Sequence, residues 1–152
     1  MFAYQILEGL EHLHSLNITH GKLTATNILM QNESNIQLSD FGVKLLQERL
    51  KQCSEISFCM APEIERGRPY TDKVDIWDLG CTVIQMISGK LPNYKQQQFE
   101  TCRQQRSRIS FLKNVSAGLR QFLDLACEEN EMERPSACEL MAHDLFKGNF
   151  IL

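Results

Sequence analysis

The chain has 152 residues, of which 43% are hydrophobic and 23% are charged, as expected for a globular protein built around one core. Its formal net charge of −3 provides no basic excess for binding nucleic acid or an anionic membrane surface. The apolar runs are too short to span a bilayer, and residues 1–14 lack the basic flank and cleavage site of a signal peptide.

The first predicted element is a helix over residues 2–16. Its apolar side chains recur at helical spacing; they are Phe2, Ile6, Leu10 and Leu13. No capping residue precedes this pattern, so we expect the chain to begin inside an element of a longer unit. Two short strands are predicted next, "NILMQ" at 27–31 and "NIQLSD" at 35–40, joined by the turn "NESN".

Residues 43–60 have no hydrophobic period and are predicted to form a long loop. A helix then begins at Thr71 or Asp72 and ends at Ser88, with Gly89 following its last turn. Its apolar residues are Val74, Trp77, Leu79, Cys81, Val83, Ile84, Met86 and Ile87. They surround most of the helix, so we expect it to be central and buried.

The remaining elements are also helical. Residues 96–108 are polar and predict an exposed, weak helix. Another helix begins after Ser116, and the last one opens at Ser136, which forms a capping box with Glu139. The sequence therefore predicts one mainly α domain that carries a small β-hairpin.

The cysteines and histidines do not predict a metal site. The six cysteines are at positions 53, 59, 81, 102, 127 and 138 and contain no C-x-x-C pair, so we expect free thiols. His12 and His14 are two residues apart and diverge by about 200° on a helix.

Five short motifs follow one another along the chain. They are "HGKLTATN" at 20–27, "DFG" at 40–42, "APE" at 61–63, "DIWDLG" at 75–80 and "RP" at 134–135. Their order and spacing resemble the C-terminal lobe of eukaryotic protein kinases, over residues 1–150. The flanking stretches look most like the serine/threonine group that includes the MAP kinase kinase kinases. The resemblance implies a helical lobe with a small hairpin, a cytoplasmic location, and no N-terminal lobe within this chain.

The resemblance also implies the residues that would hold ATP and Mg²⁺. In the family, an amide and a carboxylate supply the hard oxygen ligands that Mg²⁺ prefers, and these correspond to Asn27 and Asp40. Gly42 would allow the chain to turn sharply after the carboxylate. Without the resemblance, Asp40 would be interpreted as a turn-capping residue and Asn27 as a side chain that ties its loop together.

Further residues correspond to structural positions of the family. His20 and Phe41 are expected to stack in the interior on Asp75 of the buried helix. Glu63 and Arg134 are expected to form a buried ion pair, and the alternative is two unrelated surface charges.

The loop at 20–27 departs from the family at its catalytic positions. The family's pattern is H-R-D-x-x-x-x-N, in which the aspartate accepts the proton of the substrate hydroxyl. Here Gly21 replaces the arginine, Lys22 replaces the aspartate, and Thr24 replaces a lysine that steadies the phosphate. Ile56 also replaces the threonine that braces the aspartate. A lysine is ordinarily protonated at neutral pH and cannot accept a proton.

Two environments for Lys22 remain open, a solvated loop lysine or an ammonium paired with Asp40. Gly21 also removes the cation that would bind a phosphate on Ser54 or Ser57. In addition, residues 1–152 contain no glycine-rich G-x-G-x-x-G loop and no V-A-I-K lysine.

Three functions are therefore considered. The first is a catalytically impaired, kinase-like domain that binds a protein partner, either another kinase or a substrate. The long loop and the segment at 94–108 are its candidate surfaces. The second is part of a serine/threonine kinase that transfers the γ-phosphate of ATP to protein. The third is a truncated copy without function.

Overall fold

The fold is seen in a computed structural model, which describes residues 2–42, 60–89 and 115–147. These residues form helices around one core and a two-stranded sheet. The elements are α1 (Phe2–Ser15), β1 (Ile28–Met30), β2 (Ile36–Leu38), α2 (Pro62–Glu65), α3 (Asp72–Ser88), α4 (Ala117–Ala126) and α5 (Ala137–Met141), with 3₁₀ turns at Ala25–Asn27 and Asp144–Phe146. Residues 43–59 of the predicted loop at 43–60 and the segment at 94–108 lie outside the described residues.

Helix α1 follows the predicted apolar spacing. Its buried residues are Ile6, Leu7, Leu10 and Leu13. This face packs on α5, on β2 and on α3. The helix ends where Asn17 adopts a left-handed backbone with φ of 57°, a conformation that asparagine tolerates better than most residues.

The hairpin is shorter than predicted and is tied to α1 by a side chain. The strands pair antiparallel, with Leu29 opposite Gln37. The amide of Gln5 in α1 accepts a hydrogen bond from the backbone N–H of Ile36 at 3.0 Å and donates one to the carbonyl of Ser34 at 2.7 Å. Because Gln5 satisfies backbone groups of the hairpin, α1 holds the hairpin in place.

Helix α3 is the central element, as predicted. Every residue from Val74 to Ile84 is buried. Gly89 ends the helix in a left-handed conformation and donates its N–H to the carbonyl of Gln85 at 3.0 Å. The prediction is wrong for the last turn, where Ile87 is 39% exposed, because the core covers the helix only as far as Ile84.

Both predicted helix caps near the C-terminus are present. Ser116 Oγ accepts the N–H of Leu119 at 3.2 Å at the start of α4. At α5, Ser136 Oγ accepts the N–H of Glu139 while the Glu139 carboxylate accepts the N–H of Ser136, which completes the capping box. Edge-to-face ring contacts join Phe146 to Tyr4 and to Phe122.

The contact between α3 and α4 leaves no room for a side chain at Gly80. A Cβ built there would lie 2.6 Å from Sγ of the buried Cys127. We expect Gly80→Ala to lower the free energy of unfolding by about 1–2 kcal/mol, because overpacking outweighs the gain in helix propensity. Urea unfolding followed by circular dichroism measures this change.

Two variants control this experiment. Gly118→Ala in α4 meets only Leu145, at 3.9 Å, and should leave stability unchanged or raise it by up to about 1 kcal/mol. Cys127→Ala should relieve the clash in a Gly80→Ala background. A Gly80→Ala protein as stable as the unmodified one would show that the helices do not approach this closely.

Three of the cysteines lie in the described residues, and none of these three forms a disulfide bond. Cys81 and Cys127 are buried, and Cys138 is exposed. None of the helices in the described ranges has the length and apolarity needed to cross a membrane.

Candidate functional site

The loop at 20–27 is anchored on the central helix by the carboxylate of Asp75. This side chain is fully buried. Its Oδ2 accepts the backbone N–H of His20 and its Oδ1 accepts that of Gly21, both at 2.8 Å. Nε2 of His14, at the end of α1, lies 2.7 Å from Oδ2. One carboxylate therefore holds together the loop, α1 and α3.

The loop also closes on itself around Lys22. The N–H of Lys22 donates to Nδ1 of His20 at 3.3 Å, and the amide nitrogen of Asn27 donates to the carbonyl of Lys22 at 2.8 Å. Gly21 has a φ of 72°, which glycine adopts without the strain that a side chain would add. These bonds hold the backbone of Lys22, the residue predicted to replace the family's proton acceptor.

The turn at 39–42 lies beside this loop. Ser39 donates its N–H to the carbonyl of Asn27, and Gly42 donates its N–H to the carbonyl of His20, each at 2.9 Å. Asp40 and Gly42 both have left-handed backbones, with φ of 58° and 73°. The hairpin and these two bonds bring Asp40, which is exposed, next to the loop that carries Asn27.

The oxygen atoms at this place fit the chemistry of Mg²⁺. The amide nitrogen of Asn27 donates a hydrogen bond to the backbone carbonyl of Lys22, which leaves the amide oxygen as the ligating atom. Asp40 supplies a carboxylate, and both are hard oxygen donors. Within the described residues, no three His, Cys, Asp or Glu side chains come together as a metal site. Any ion here would thus be held mainly by Asn27, Asp40 and its own phosphate or water ligands.

His20 connects both loops to the core. Its backbone N–H bonds to Asp75, and its ring accepts from Lys22. The side chain is fully buried, and burial lowers the pKa of His20 below its ordinary value of 6.5, against the attraction of the Asp75 and Asp40 carboxylates. The folded protein therefore favours the neutral ring.

The lowered pKa of His20 predicts acid sensitivity. Above pH 6.5 the ring is neutral in both states, whereas below pH 6.5 the unfolded chain binds the proton first. We expect the free energy of unfolding to fall as the pH decreases from 6.5 toward the lowered pKa. Urea unfolding at pH values from 7.5 to 5.5 measures the slope.

His20→Asn keeps an acceptor near the position of Nδ1 and removes the titrating ring, so its slope should be smaller. His12→Asn, at an exposed position of α1, should retain the original slope. Equal slopes for His20→Asn and the unmodified protein would contradict the assignment to His20.

Phe41 does not lie in the interior, and the expectation that it stacks there is wrong for this structure. Its side chain is 51% exposed. It borders a groove of about 820 Å³ between α1 and the hairpin, which is also lined by Leu13, Leu16 and Leu38. The described residues provide no cover over Phe41, so only His20 occupies the predicted interior position on Asp75.

The structure brings Glu63 and Arg134 together, 71 residues apart in sequence. Two guanidinium nitrogens of Arg134 donate to the two carboxylate oxygens of Glu63 at 2.6 and 3.0 Å. Arg134 also donates to the carbonyls of Glu128 and Lys73, and its guanidinium lies 5.1 Å from the centre of the Trp77 ring. This pair joins α2 to the segment before α5.

Comparison with known proteins identifies the family that this geometry suggests. Residues 1–146 match the protein kinase domain. The chain belongs to the protein kinase domain family. Members of this family normally use ATP and Mg²⁺.

Several serine/threonine kinases are similar to the chain. The serine/threonine-protein kinase PAK 5 of Rattus norvegicus is 35% identical over 93% of the chain, and pakE of Dictyostelium discoideum is 34% identical over 94%. Mitogen-activated protein kinase kinase kinase 2 of Arabidopsis thaliana is 32% identical over 97%. The chain spans 21%, 16% and 24% of the lengths of these three relatives. The expected likeness to serine/threonine kinases, including a MAP kinase kinase kinase, is confirmed.

Sequence reasoning missed the role of His14, which was considered only as a metal ligand. A signal was available, because Leu7, Leu10 and His14 follow helical spacing and share one face of α1. A histidine on an apolar face needs a buried hydrogen-bond partner. The sequence did not indicate that this partner is Asp75, 61 residues further along the chain.

Proposed function

We propose that this chain is a catalytically impaired kinase-like domain that acts by binding a protein, namely another kinase or a kinase substrate. The observation that carries the proposal is the cation at the proton-accepting position. Lys22 occupies that position in a loop whose backbone is held by Asp75, His20 and Asn27. A positioned general base contributes roughly 10²–10⁴ to the rate, and an ammonium cannot provide this function. This proposal includes the cytoplasmic location expected from the sequence.

The altered loop also bears on the cofactors. Asn27 and Asp40 would hold Mg²⁺, which in this family neutralises phosphate charge. We propose that Lys22 lies close enough to Asp40 to compete with the ion for this carboxylate. Binding of ATP and Mg²⁺ by the 152-residue chain would then be weak or absent.

The groove between α1 and the hairpin is our candidate surface for the protein partner. Two exposed apolar side chains line it, Leu16 at 56% and Phe41 at 51% exposure. In the neighbouring strand β1, Leu29 and Met30 are also 50% and 62% exposed. Burying an apolar side chain of this size contributes about 1.5–3 kcal/mol. A partner that covers this surface would therefore gain binding energy without any catalytic step.

A photo-cross-linking residue tests this surface in cells. Placed at Leu16, it should capture a protein that is itself a kinase or a kinase substrate. At Met132, which is 84% exposed in the turn before α5, it should not capture that protein. Equal capture from both positions would contradict the assignment of the groove.

The same loop also favours a second function, in which the chain is part of an active serine/threonine kinase. Asn27 and Asp40 are retained as possible Mg²⁺ ligands. Asp75 still accepts the backbone N–H groups of His20 and Gly21, so the scaffold of the catalytic loop is in place. In this case Lys22 or another group would have to act as the base.

A phosphotransfer assay separates the two functions. The chain is combined with the N-terminal lobe of a related kinase and supplied with ATP, Mg²⁺ and a protein substrate. We expect no transfer above background, because a lysine replaces the residue that would accept the hydroxyl proton. Transfer at the rate of an active kinase would overturn the proposed binding role.

Restored residues test the reason for the loss. Lys22→Asp with Thr24→Lys should raise the rate by roughly 10²-fold or more if the base alone is missing. Lys22→Leu with Thr24→Lys is the matched control, since it removes the cation without supplying a base. Equal rates for the two double variants would contradict the role assigned to position 22. A thermal shift with ATP, measured with and without Mg²⁺, tests nucleotide binding separately.

A further inference from the structure

The Asp75 carboxylate receives a hydrogen bond from outside the loop that it anchors. Two of its bonds come from the backbone of His20 and Gly21, and the third comes from the ring of His14 in α1. The His14 side chain is 9% exposed and the Asp75 side chain 0% exposed. Water therefore cannot readily replace the imidazole as the third donor.

The environment of His14 determines which of its two ring nitrogens donates a hydrogen bond. Nε2 lies 2.7 Å from a carboxylate oxygen, so it carries the proton and donates. Nδ1 is buried and has no hydrogen-bond partner among the described residues. A proton on Nδ1 would thus be left unpaired, whereas the proton on Nε2 is paired with the Asp75 carboxylate.

The geometry of the carboxylate explains why this donor matters. Rotation about the bond to a carboxylate group is broad, so the aspartate backbone does not by itself fix where the two oxygens point. The bond from His14 restrains Oδ2, which leaves Oδ1 directed at the N–H of Gly21. Glycine has the widest backbone freedom of any residue type. The left-handed conformation of Gly21 therefore depends strongly on the hydrogen bond from its N–H to Asp75.

We infer that His14 is a positioning residue that acts through Asp75 to set the turn at His20 and Gly21, and with it the place of Lys22. The inference rests on the observed hydrogen bonds and is independent of whether the loop binds a partner or transfers phosphate. It applies equally to both functions considered above.

Amide hydrogen exchange in the full chain, followed by NMR, tests this role. His14→Phe keeps a ring of similar size and removes the donor. We expect the amide of Gly21 to exchange about tenfold faster or more and its proton resonance to move upfield, since a hydrogen bond to a charged group is weakened. The amide of Cys127, which bonds to Leu123 at 2.9 Å in another part of the core, should keep its rate.

Two further variants distinguish positioning from packing. His14→Gln retains an N–H donor at similar reach and should restore most of the protection of Gly21. His12→Phe, at an exposed position of the same helix, should change neither amide. Unchanged exchange and resonance of Gly21 in His14→Phe would overturn the inference, and so would equal acceleration at Cys127.

The unmodified protein provides a test that does not depend on the variants folding. The ring nitrogen resonances of His14 should show a proton on Nε2, which lies 2.7 Å from the Asp75 carboxylate. An Nε2 without a proton would overturn the inference, because the ring could not then donate to Asp75 in the observed orientation.

Discussion

Replacing Arg134 with leucine should lower the free energy of unfolding by about 3–5 kcal/mol, because it leaves the carboxylate of Glu63 buried without its partner. Arg134 is 1% exposed and Glu63 is also 1% exposed. The substitution removes both bonds of the ion pair as well as those to the carbonyls of Glu128 and Lys73. Urea unfolding followed by circular dichroism measures the loss.

An exposed ion pair provides the matched control. Arg68 donates to Glu131 at 2.8 Å, and its side chain is 54% exposed. Arg68→Leu should change stability by about 0.2–1 kcal/mol or less, because water solvates the remaining charge. Similar losses for Arg134→Leu and Arg68→Leu would contradict the claim that burial sets the size of the effect.

A double variant separates the pair from its surroundings. Glu63→Leu combined with Arg134→Leu should be less destabilised than the sum of the two single variants, since neither charge is left alone. An additive result would indicate that the two side chains do not interact in the folded protein.

Replacing Asp75 with asparagine should lower the free energy of unfolding by about 3–5 kcal/mol, since hydrogen bonds to a charged group are worth roughly 1.5–3 kcal/mol each. The amide is nearly the same size as the carboxylate, so packing is preserved. However, its NH₂ group would face one of the three donors from His14, His20 and Gly21. Thermal and urea unfolding measure the change.

Asp72 is the control for this experiment, because it lies one turn earlier on the same helix and is only partly buried. Asp72→Asn loses only a favourable interaction with the helix N-terminus, worth about 0.3–1 kcal/mol. Should Asp75→Asn prove no more harmful than Asp72→Asn, the buried carboxylate would not be the anchor of the loop.

The local pattern of residues was sufficient to place the main helices and their ends. Helical spacing located α1 and α3 to within one residue, and serine caps located the starts of α4 and α5. These features depend on side chains no more than four residues apart, so they can be recognised along the chain. The short helix α2 carried no such signal and was missed.

Contacts between distant segments could be anticipated only through the family resemblance. That resemblance paired Glu63 with Arg134 and placed His20 on Asp75, and the structure brings both sets together. It misplaced Phe41, which is half exposed within the described residues. Whether Lys22 pairs with Asp40 stays a prediction.

Local spacing and residue identity were enough to predict the order of the helices, the hairpin and the replacement of the family's aspartate by Lys22. The hydrogen bond from His14 to Asp75 and the position of Phe41 at an open groove became known from the folded arrangement alone. Burial and hydrogen bonding depend on which distant segments meet, and His14 of α1 meets Asp75 of α3 although 61 residues separate them along the chain.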